Sequence, residues 1–307
     1  MHPIFSTLAL TLILNLCSSA NSVGAGGADG QTADKTEISD QGAGESLNVY
    51  YNDEKADIAK IEAVLNKVKG IQDVRERLIA ITQEFIGTPY VGGTLNIPPK
   101  EQLYVSTTGL DCLTFVETVI SLTEASGKEN PRLDDYLKTL LNIRYRNGEI
   151  NGFPSRLHYL SEWALDNDRR GNIKEISSEF DRSEKRVKTL DFMTKHRQLY
   201  PPLVSDDVFK AIQKNESALK NLQYYIIPMA EVNNAAKSFL KSGDMVAIET
   251  NKPGLDASHV GIINIKNGIP YLIHASSKYK KVVNDTTPLK DYLKRQGSPG
   301  IRVFRLP

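Results

Sequence analysis

The stretch S-H-V-G-I-I-N-I-K-N-G-I-P-Y-L-I-H-A-S, Ser258 to Ser276, decides how this chain folds. Asn267-Gly268 accepts positive φ at both central positions of a type I′ turn, so the runs on either side close into a two-residue hairpin. Lys266 then pairs with Ile269. Counting back, Gly261 falls opposite His274, and His259 opposite Ser276. Side chains alternate faces along a strand, so His259 and His274 share one face. They are diagonal neighbours, roughly 7 Å apart at the backbone, within reach of two imidazoles. Gly261, lacking a side chain, leaves room beside them.

Outward from the hairpin, the runs D-M-V-A-I-E-T from Asp244 and I-R-V-F-R-L from Ile301 have the same β-branched and aromatic character. Upstream the period changes. Ile58, Ile61, Leu65 and Val68 recur at helical spacing over 53–69, and Val74, Leu78, Ile81 and Phe85 repeat the pattern over 73–86. Gly87 and Pro89 stop the second helix and open the loop T-P-Y-V-G-G-T. A third helix starts near Asp111. It is apolar on more than one face, through Leu113, Phe115, Val116, Val119, Ile120 and Leu122, so it is expected to be deeply buried. Further helices are expected over 134–145, 155–168, 205–222 and 229–240. Helices first and a mostly antiparallel sheet last is the α+β order.

The N-terminus reads as a leader. Ile4 to Leu16 is apolar but too short to span a bilayer comfortably, and Ser18-Ser19-Ala20 offers small residues for cleavage, so residues 1–20 are expected to be a signal peptide. Cys17 leaves open a lipoprotein anchor, although Leu16 stands where a small residue is usual. The Gly- and Ala-rich 21–46 reads as a flexible tether, and 47–307 as a single catalytic domain. No later run is long and apolar enough for a transmembrane helix. The net charge is +1, from 38 basic and 37 acidic residues, so no long-range field points to nucleic acid or an anionic membrane.

The chain has two cysteines, Cys17 and Cys112. Once the leader is removed, Cys112 has no partner for an internal disulfide, and an exported protein carrying one free thiol calls for a reason. Asp111 is a good N-cap, which places Cys112 at the first helical position. Unpaired N–H groups and the helix dipole there favour thiolate over thiol. The plain alternative is a buried core cysteine. The histidine pair favours chemistry: Cys112 as nucleophile, His259 as general base and later acid, and His274 fixing the orientation and tautomer of His259. Two histidines in a hairpin are otherwise a satisfied surface or core pair. A zinc site lacks closely spaced ligand pairs, and no cofactor or metal is suggested.

These residues resemble a family. G-T-P-Y-V-G-G-T at Gly87, L-D-C-L-T-F-V-E at Leu110, K-S-G-D-M-V at Lys241, S-H-V-G-I at Ser258 and L-I-H-A-S at Leu272 look like the NlpC/p60 superfamily of papain-like cell-wall amidases and peptidases. The D-C-x-T-F-V-E form, with I-R-Y-R-N-G-E-I-N-G-F-P-S-R-L-H-Y-L-S-E-W at Ile143 to Trp163, resembles its bacterial N-acetylmuramoyl-L-alanine amidase-like branch. The resemblance covers roughly 73–307. It implies a papain-like core with helical insertions, the same roles for Cys112, His259 and His274, and a supporting place for Tyr90 near the oxyanion. Many members carry Trp after the P-Y-x unit where this chain has Gly92, so peptide specificity does not carry over.

Asp111, Arg156, His158, Tyr159 and Ser258 are the candidate substrate contacts. On a helix over 155–168, Arg156 and Tyr159 would share a face near Trp163. Arg156 suits a carboxylate as a bidentate donor, although a lone helical Arg is usually solvated. Trp163 is more in keeping with core than with a sugar platform. The resemblance implies hydrolysis, through a thioester, of the amide between N-acetylmuramic acid and L-alanine in peptidoglycan or its fragments. A γ-D-glutamyl endopeptidase would use the same triad, and a non-catalytic wall-binding protein could share the fold.

Overall fold

The computed structural model describes residues 47–98 and 100–307. The expected signal peptide, tether and Cys17 anchor lie outside them. Among the described residues no helix is long and apolar enough to cross a membrane.

The chain opens with β1 (Val49–Tyr51), α1 (Glu54–Lys67), α2 (Val74–Glu84) and β2 (Leu103–Val105). Then come α3 (Cys112–Ala125), α4 (Leu133–Arg144), α5 (Leu160–Arg169), β3 (Lys174–Glu175), β4 (Glu184–Lys188), α6 (Phe192–Lys195) and α7 (Asp206–Ser217). It closes with β5 (Leu222–Pro228), α8 (Val232–Ser238), β6 (Met245–Glu249), β7 (Ala257–Lys266), β8 (Ile269–Ser276), β9 (Lys281–Asn284), α9 (Leu289–Gln296) and β10 (Gly300–Arg305). The main sheet runs β4-β5-β10-β6-β7-β8-β9, with β3 also on β10, and every pairing in it is antiparallel. A parallel pair, β1-β2, stands apart. The architecture is α+β, as the order of patterns led one to expect.

α3 is the organising helix. Its N-cap is a closed capping box: Asp111 Oδ1 accepts from the Thr114 N–H at 2.9 Å, and the Thr114 hydroxyl accepts from the Asp111 N–H at 2.9 Å. Its apolar faces pack on α1, α2 and α4 on one side and on β7 and β8 on the other. That double contact explains why a helix of 14 residues is buried almost all round. Phe115, Val119 and Ile120 meet Ala247, Ile262, Ile273 and Ala275 in one core, while Val246, Ile248, Ile263, Leu272, Ile301 and Val303 face α8 and α9 in a second. The sheet is thus covered on both faces.

Three expectations are corrected. The helix expected over 155–168 starts only at Leu160; Arg156 instead bridges Tyr145 in extended backbone. Its first-turn Ser161 N–H is taken by Asp256, 95 residues away, at 2.5 Å, so the start is set by a tertiary contact that no local cap announces. Arg156 and Tyr159 therefore do not share a helical face. The helix expected to run to Leu222 ends at Ser217, and Leu222 begins β5. The sheet is not confined to the C-terminal part: β3, β4 and β5 join it from the middle of the chain. β4, E-K-R-V-K, is a charged edge strand, as edges commonly are, and carries little apolar signal.

Candidate active site

The hairpin forms in the expected register, from Lys266 opposite Ile269 to Ile262 opposite Ile273, around Asn267 and Gly268 with φ of 51° and 76°. The paired ladder stops there, so His259 and Ser276 lie past its end. A Cβ added to Gly261 would sit 3.1 Å from the His274 Cβ, which shows how closely β7 passes that side chain. The two imidazoles meet as expected, His259 Nε2 to His274 Nδ1 at 2.6 Å, with ring planes at 87°.

Cys112 is the first residue of α3 and is buried. The backbone N–H groups of Val260, the residue after His259, of Leu113 and of Cys112 itself lie near enough to its sulfur to favour the charged form. The thiol thus sits at the splayed end of the hairpin that carries both histidines. The expected thiolate is not the resting form. Burial pushes the Cys112 thiol well above its usual range, the neighbouring Asp111 charge adds to this, and the N–H groups only partly oppose it. Burial and His274 push His259 well below the usual histidine range. Both shifts favour the neutral forms, a thiol and an imidazole.

Tyr90 lies in a segment stitched between β9 and the approach to α3. Its N–H donates to the Lys280 carbonyl at 2.9 Å, and the segment bridges Leu110, with Val91 N–H to the Leu110 carbonyl at 3.1 Å. This brings Tyr90 next to the Asp111-Cys112 turn. Asp111 spends one carboxylate oxygen on the helix cap. Ser258 directs its hydroxyl at the Ile248 carbonyl at 3.4 Å, where the β6–β7 register shifts.

A small cleft of about 80 Å³ lies nearby. Leu113 and Val260, the residues after Cys112 and His259, line it, with His158, Tyr159, Met193 and Tyr200 forming its far side. Tyr159 presents its ring while its hydroxyl donates to Glu216 at 2.6 Å and accepts from the Met193 N–H at 2.8 Å. His158 is held with Nε2 at 2.9 Å from the Phe153 carbonyl, and burial, then Arg156, push its pKa down to about 3, so it is a neutral donor. A smaller recess continues past His158 and Tyr200 to Arg156 and Asn96. Arg156 is buried and committed to the Leu95 carbonyl at 2.6 Å and to Asn96 Oδ1 at 2.8 Å, with Glu101 at 3.5 Å. It braces the wall rather than reaching out as a free guanidinium. Trp163 is core, edge-on to Phe304.

Two residues of the site escaped the sequence reading. Tyr292 of α9 packs against both imidazoles, 5.6 Å from the His274 ring and 6.1 Å from that of His259. Asp285, just after β9, faces His274. Nothing short of the fold marks either one: Asp285 reads as a turn residue in N-D-T-T, and Tyr292 as one aromatic on a short polar helix. Among the described residues no group of three His, Cys, Asp or Glu side chains is arranged to hold a metal ion.

Residues 80–301 match the family model AmiA-like, described as N-acetylmuramoyl-L-alanine amidase-like. Among solved structures, an N-acetylmuramoyl-L-alanine amidase from Bacteroides uniformis is 31% identical with a TM-score of 0.72, the match covering 76% of this chain and 98% of that one. A Bacteroides fragilis protein described as a candidate xylanase is 35% identical with a TM-score of 0.70, over 73% of this chain and 98% of that one. A Legionella pneumophila protein at 23% identity and a TM-score of 0.63 shares the fold. No curated protein matches the chain.

Proposed function

We propose that this chain, which belongs to the N-acetylmuramoyl-L-alanine amidase-like family, is a cysteine hydrolase that cleaves the amide between N-acetylmuramic acid and L-alanine in peptidoglycan or its fragments. The observation that carries the reading is the 2.6 Å contact between His259 and His274 on the hairpin whose splayed end receives the Cys112 sulfur. The helix bearing the thiol, packed on the sheet bearing the histidines, supports the papain-like reading that the motifs suggest. A leader over residues 1–20 would deliver the enzyme outside the cytoplasm, where the polymer lies.

With Nε2 of His259 engaged by His274, Nδ1 is the ring nitrogen left to act as base. As the sulfur attacks the lactyl carbonyl carbon, the thiol proton passes to that nitrogen. The carbonyl oxygen becomes an oxyanion beside the Cys112 N–H, one of the donors that a helix N-terminus leaves unpaired. Tyr90 stands beside the same turn. The protonated His259 then gives its proton to the alanine nitrogen, the C–N bond breaks, and the peptide leaves with a free amine. Water, deprotonated by His259, attacks the thioester and restores the thiol. The apolar wall of Leu113 and Val260 suits the alanine side of the bond, and His158, its one N–H committed to the Phe153 carbonyl, has only an acceptor nitrogen left.

The site does not suit a glycosidase. Retaining and inverting glycosidases flank the bond with two carboxyl groups. Of the residues lining this cleft only Asp256 is a carboxylate, and it is spent on the Ser161 N–H with Arg302 at 3.9 Å.

Mass spectrometry of products from defined muropeptides tests the proposal. The wild-type chain should release the intact stem peptide with a free alanine amine, and Cys112→Ala should release none. A dipeptide product would reassign the bond to γ-D-glutamyl cleavage. Undiminished turnover by Cys112→Ala would end the cysteine mechanism.

A further inference from the structure

Behind the histidine pair the polar chain continues one step deeper. His274 is 2% exposed. Its Nδ1 meets His259, and its other nitrogen, Nε2, makes no hydrogen bond of normal length but faces Asp285 Oδ2 at 3.5 Å. Asp285 is itself buried and pinned on two sides. Its N–H donates to the Leu272 carbonyl at 2.8 Å, and its Oδ1 accepts from the Thr287 N–H at 2.8 Å. These bonds leave Oδ2 turned toward the ring. We infer that Asp285 is a positioning residue that sets the tautomer of His274 and, through it, that of His259. The inference rests on the reading of Cys112 and His259 as nucleophile and base.

The reason lies in counting protons. A neutral imidazole carries one N–H, and an ionised carboxylate only accepts. Facing Asp285, His274 places its proton on Nε2. Its Nδ1 is then a lone pair and accepts from His259 only if His259 carries its proton on Nε2. The lone pair of His259 is thereby placed on Nδ1, ready for the thiol proton. Run in reverse, the chain fails. A His274 protonated on Nδ1 donates to His259 Nε2, His259 then holds its proton on Nδ1, and no base remains for Cys112. The contact between the rings is a single hydrogen bond in either direction, so it cannot choose by itself. Asp285 supplies the asymmetry, with Oδ2 3.5 Å from His274 Nε2. The other titratable groups at the pair are Cys112 from α3 and Tyr292 from α9. The phenol of Tyr292 is held neutral, pushed up chiefly by burial, and a neutral ring packed on both imidazoles does not favour one tautomer as a carboxylate does.

The test uses the full chain labelled with ¹⁵N-histidine, because long-range ¹H–¹⁵N correlations report which ring nitrogen carries the proton. In the wild type at neutral pH both His274 and His259 should carry it on Nε2. In Asp285→Ala and the isosteric Asp285→Asn, the Nδ1–H form of His274 should grow. Alkylation of Cys112 by iodoacetamide should slow, and kcat on muropeptide should fall roughly 10- to 100-fold with KM little moved, the range for residues that orient others. Asp285→Glu should restore the tautomer and part of the rate. Should Asp285→Ala fail to fold, Asp285→Asn carries the same comparison. Unchanged tautomers and alkylation rates in the folded variants would overturn the inference, as would a wild-type His274 protonated on Nδ1. Spectra and alkylation need no substrate. Turnover by Cys112→Ala would therefore refute the reading of Cys112 as nucleophile while leaving the tautomer result to judge Asp285 separately.

Discussion

Gly261→Ala puts a single methyl group at the point where the hairpin passes the histidines. The added Cβ would lie 3.1 Å from the His274 Cβ, 3.1 Å from the Ile273 carbonyl oxygen and 3.4 Å from a Leu272 methyl. Carbon atoms rest at about 3.5–4.0 Å, so the neighbours must yield by a few tenths of an ångström. Overpacking of this kind costs roughly 1–3 kcal/mol. Restricting the unfolded chain by replacing glycine returns about 0.4–1 kcal/mol, since φ at this position is not in the left-handed region. The net loss is roughly 1–2 kcal/mol, a fall of roughly 2–8 °C in Tm for a chain of this size. Activity should suffer more than stability. The carbonyl belongs to a laddered strand and holds its place, so the displacement falls on the His274 side chain and opens its 2.6 Å contact with His259. A misplacement well short of 1 Å in a group that orients the base predicts a drop of about 10-fold in kcat with KM nearly constant. Thermal unfolding and steady-state turnover on a defined muropeptide measure the two effects. A variant that unfolds earlier yet turns over at the wild-type rate would show that His274 does not need its observed position, and the account of the site would be wrong.

Two further outcomes follow from buried charges outside the site. Glu117 and Arg144 form a fully buried pair at 2.7 Å, and Arg144 also donates to the Tyr104 carbonyl at 2.6 Å. Glu117→Ala should cost roughly 3–5 kcal/mol in urea unfolding by stranding the guanidinium, and a loss below about 1 kcal/mol would show that water reaches it. Glu249 is buried beneath the Tyr224 hydroxyl with Oε2 unpartnered, and burial pushes its carboxyl up from 4.5 to about 7. Its folded pKa lies above its unfolded one, so its contribution is complete below about 4.5 and is lost as pH rises to about 7. The span corresponds to roughly 3 kcal/mol. Glu249→Gln, neutral at every pH, should flatten that part of the Tm–pH curve, and an unchanged slope would place the titration elsewhere.

Much of this protein is written in local pattern. Asn267-Gly268 dictates a two-residue turn, and with the turn comes the register, because a slip of one residue would throw every side chain to the other face. That is why the meeting of His259 and His274 could be counted off before any coordinates. Asp111 and Thr114 close a capping box with each other, so the start of α3 and the place of Cys112 at its tip were equally local. What failed was what depends on distant partners. The start of α5 is held by Asp256 from beyond β6, so no pattern near Ser155 could show it. β4 is a charged run that pairs, among the described residues, only with β5, so little in it announces a strand, whereas the aromatic and β-branched Y-Y-I-I of β5 carries a strand signal that the reading passed over.

The ionisation of the site belongs to the same second class. A helix N-terminus by itself argues for a thiolate. Burial argues against one, and only the packing of α3 between its neighbouring helices and the hairpin shows that burial wins. Arg156 was legible as a residue able to grip a carboxylate, but Leu95, Asn96 and Glu101, some 60 residues earlier, already hold it. Sequence alone determined the helix start that holds Cys112 and the strand pair that joins the histidines, because each depends on neighbours within a turn or a hairpin. Tertiary structure decided which groups surround them and which cleft wall stands beside them, because residues such as Asp285 and Tyr292 are brought near only by folding.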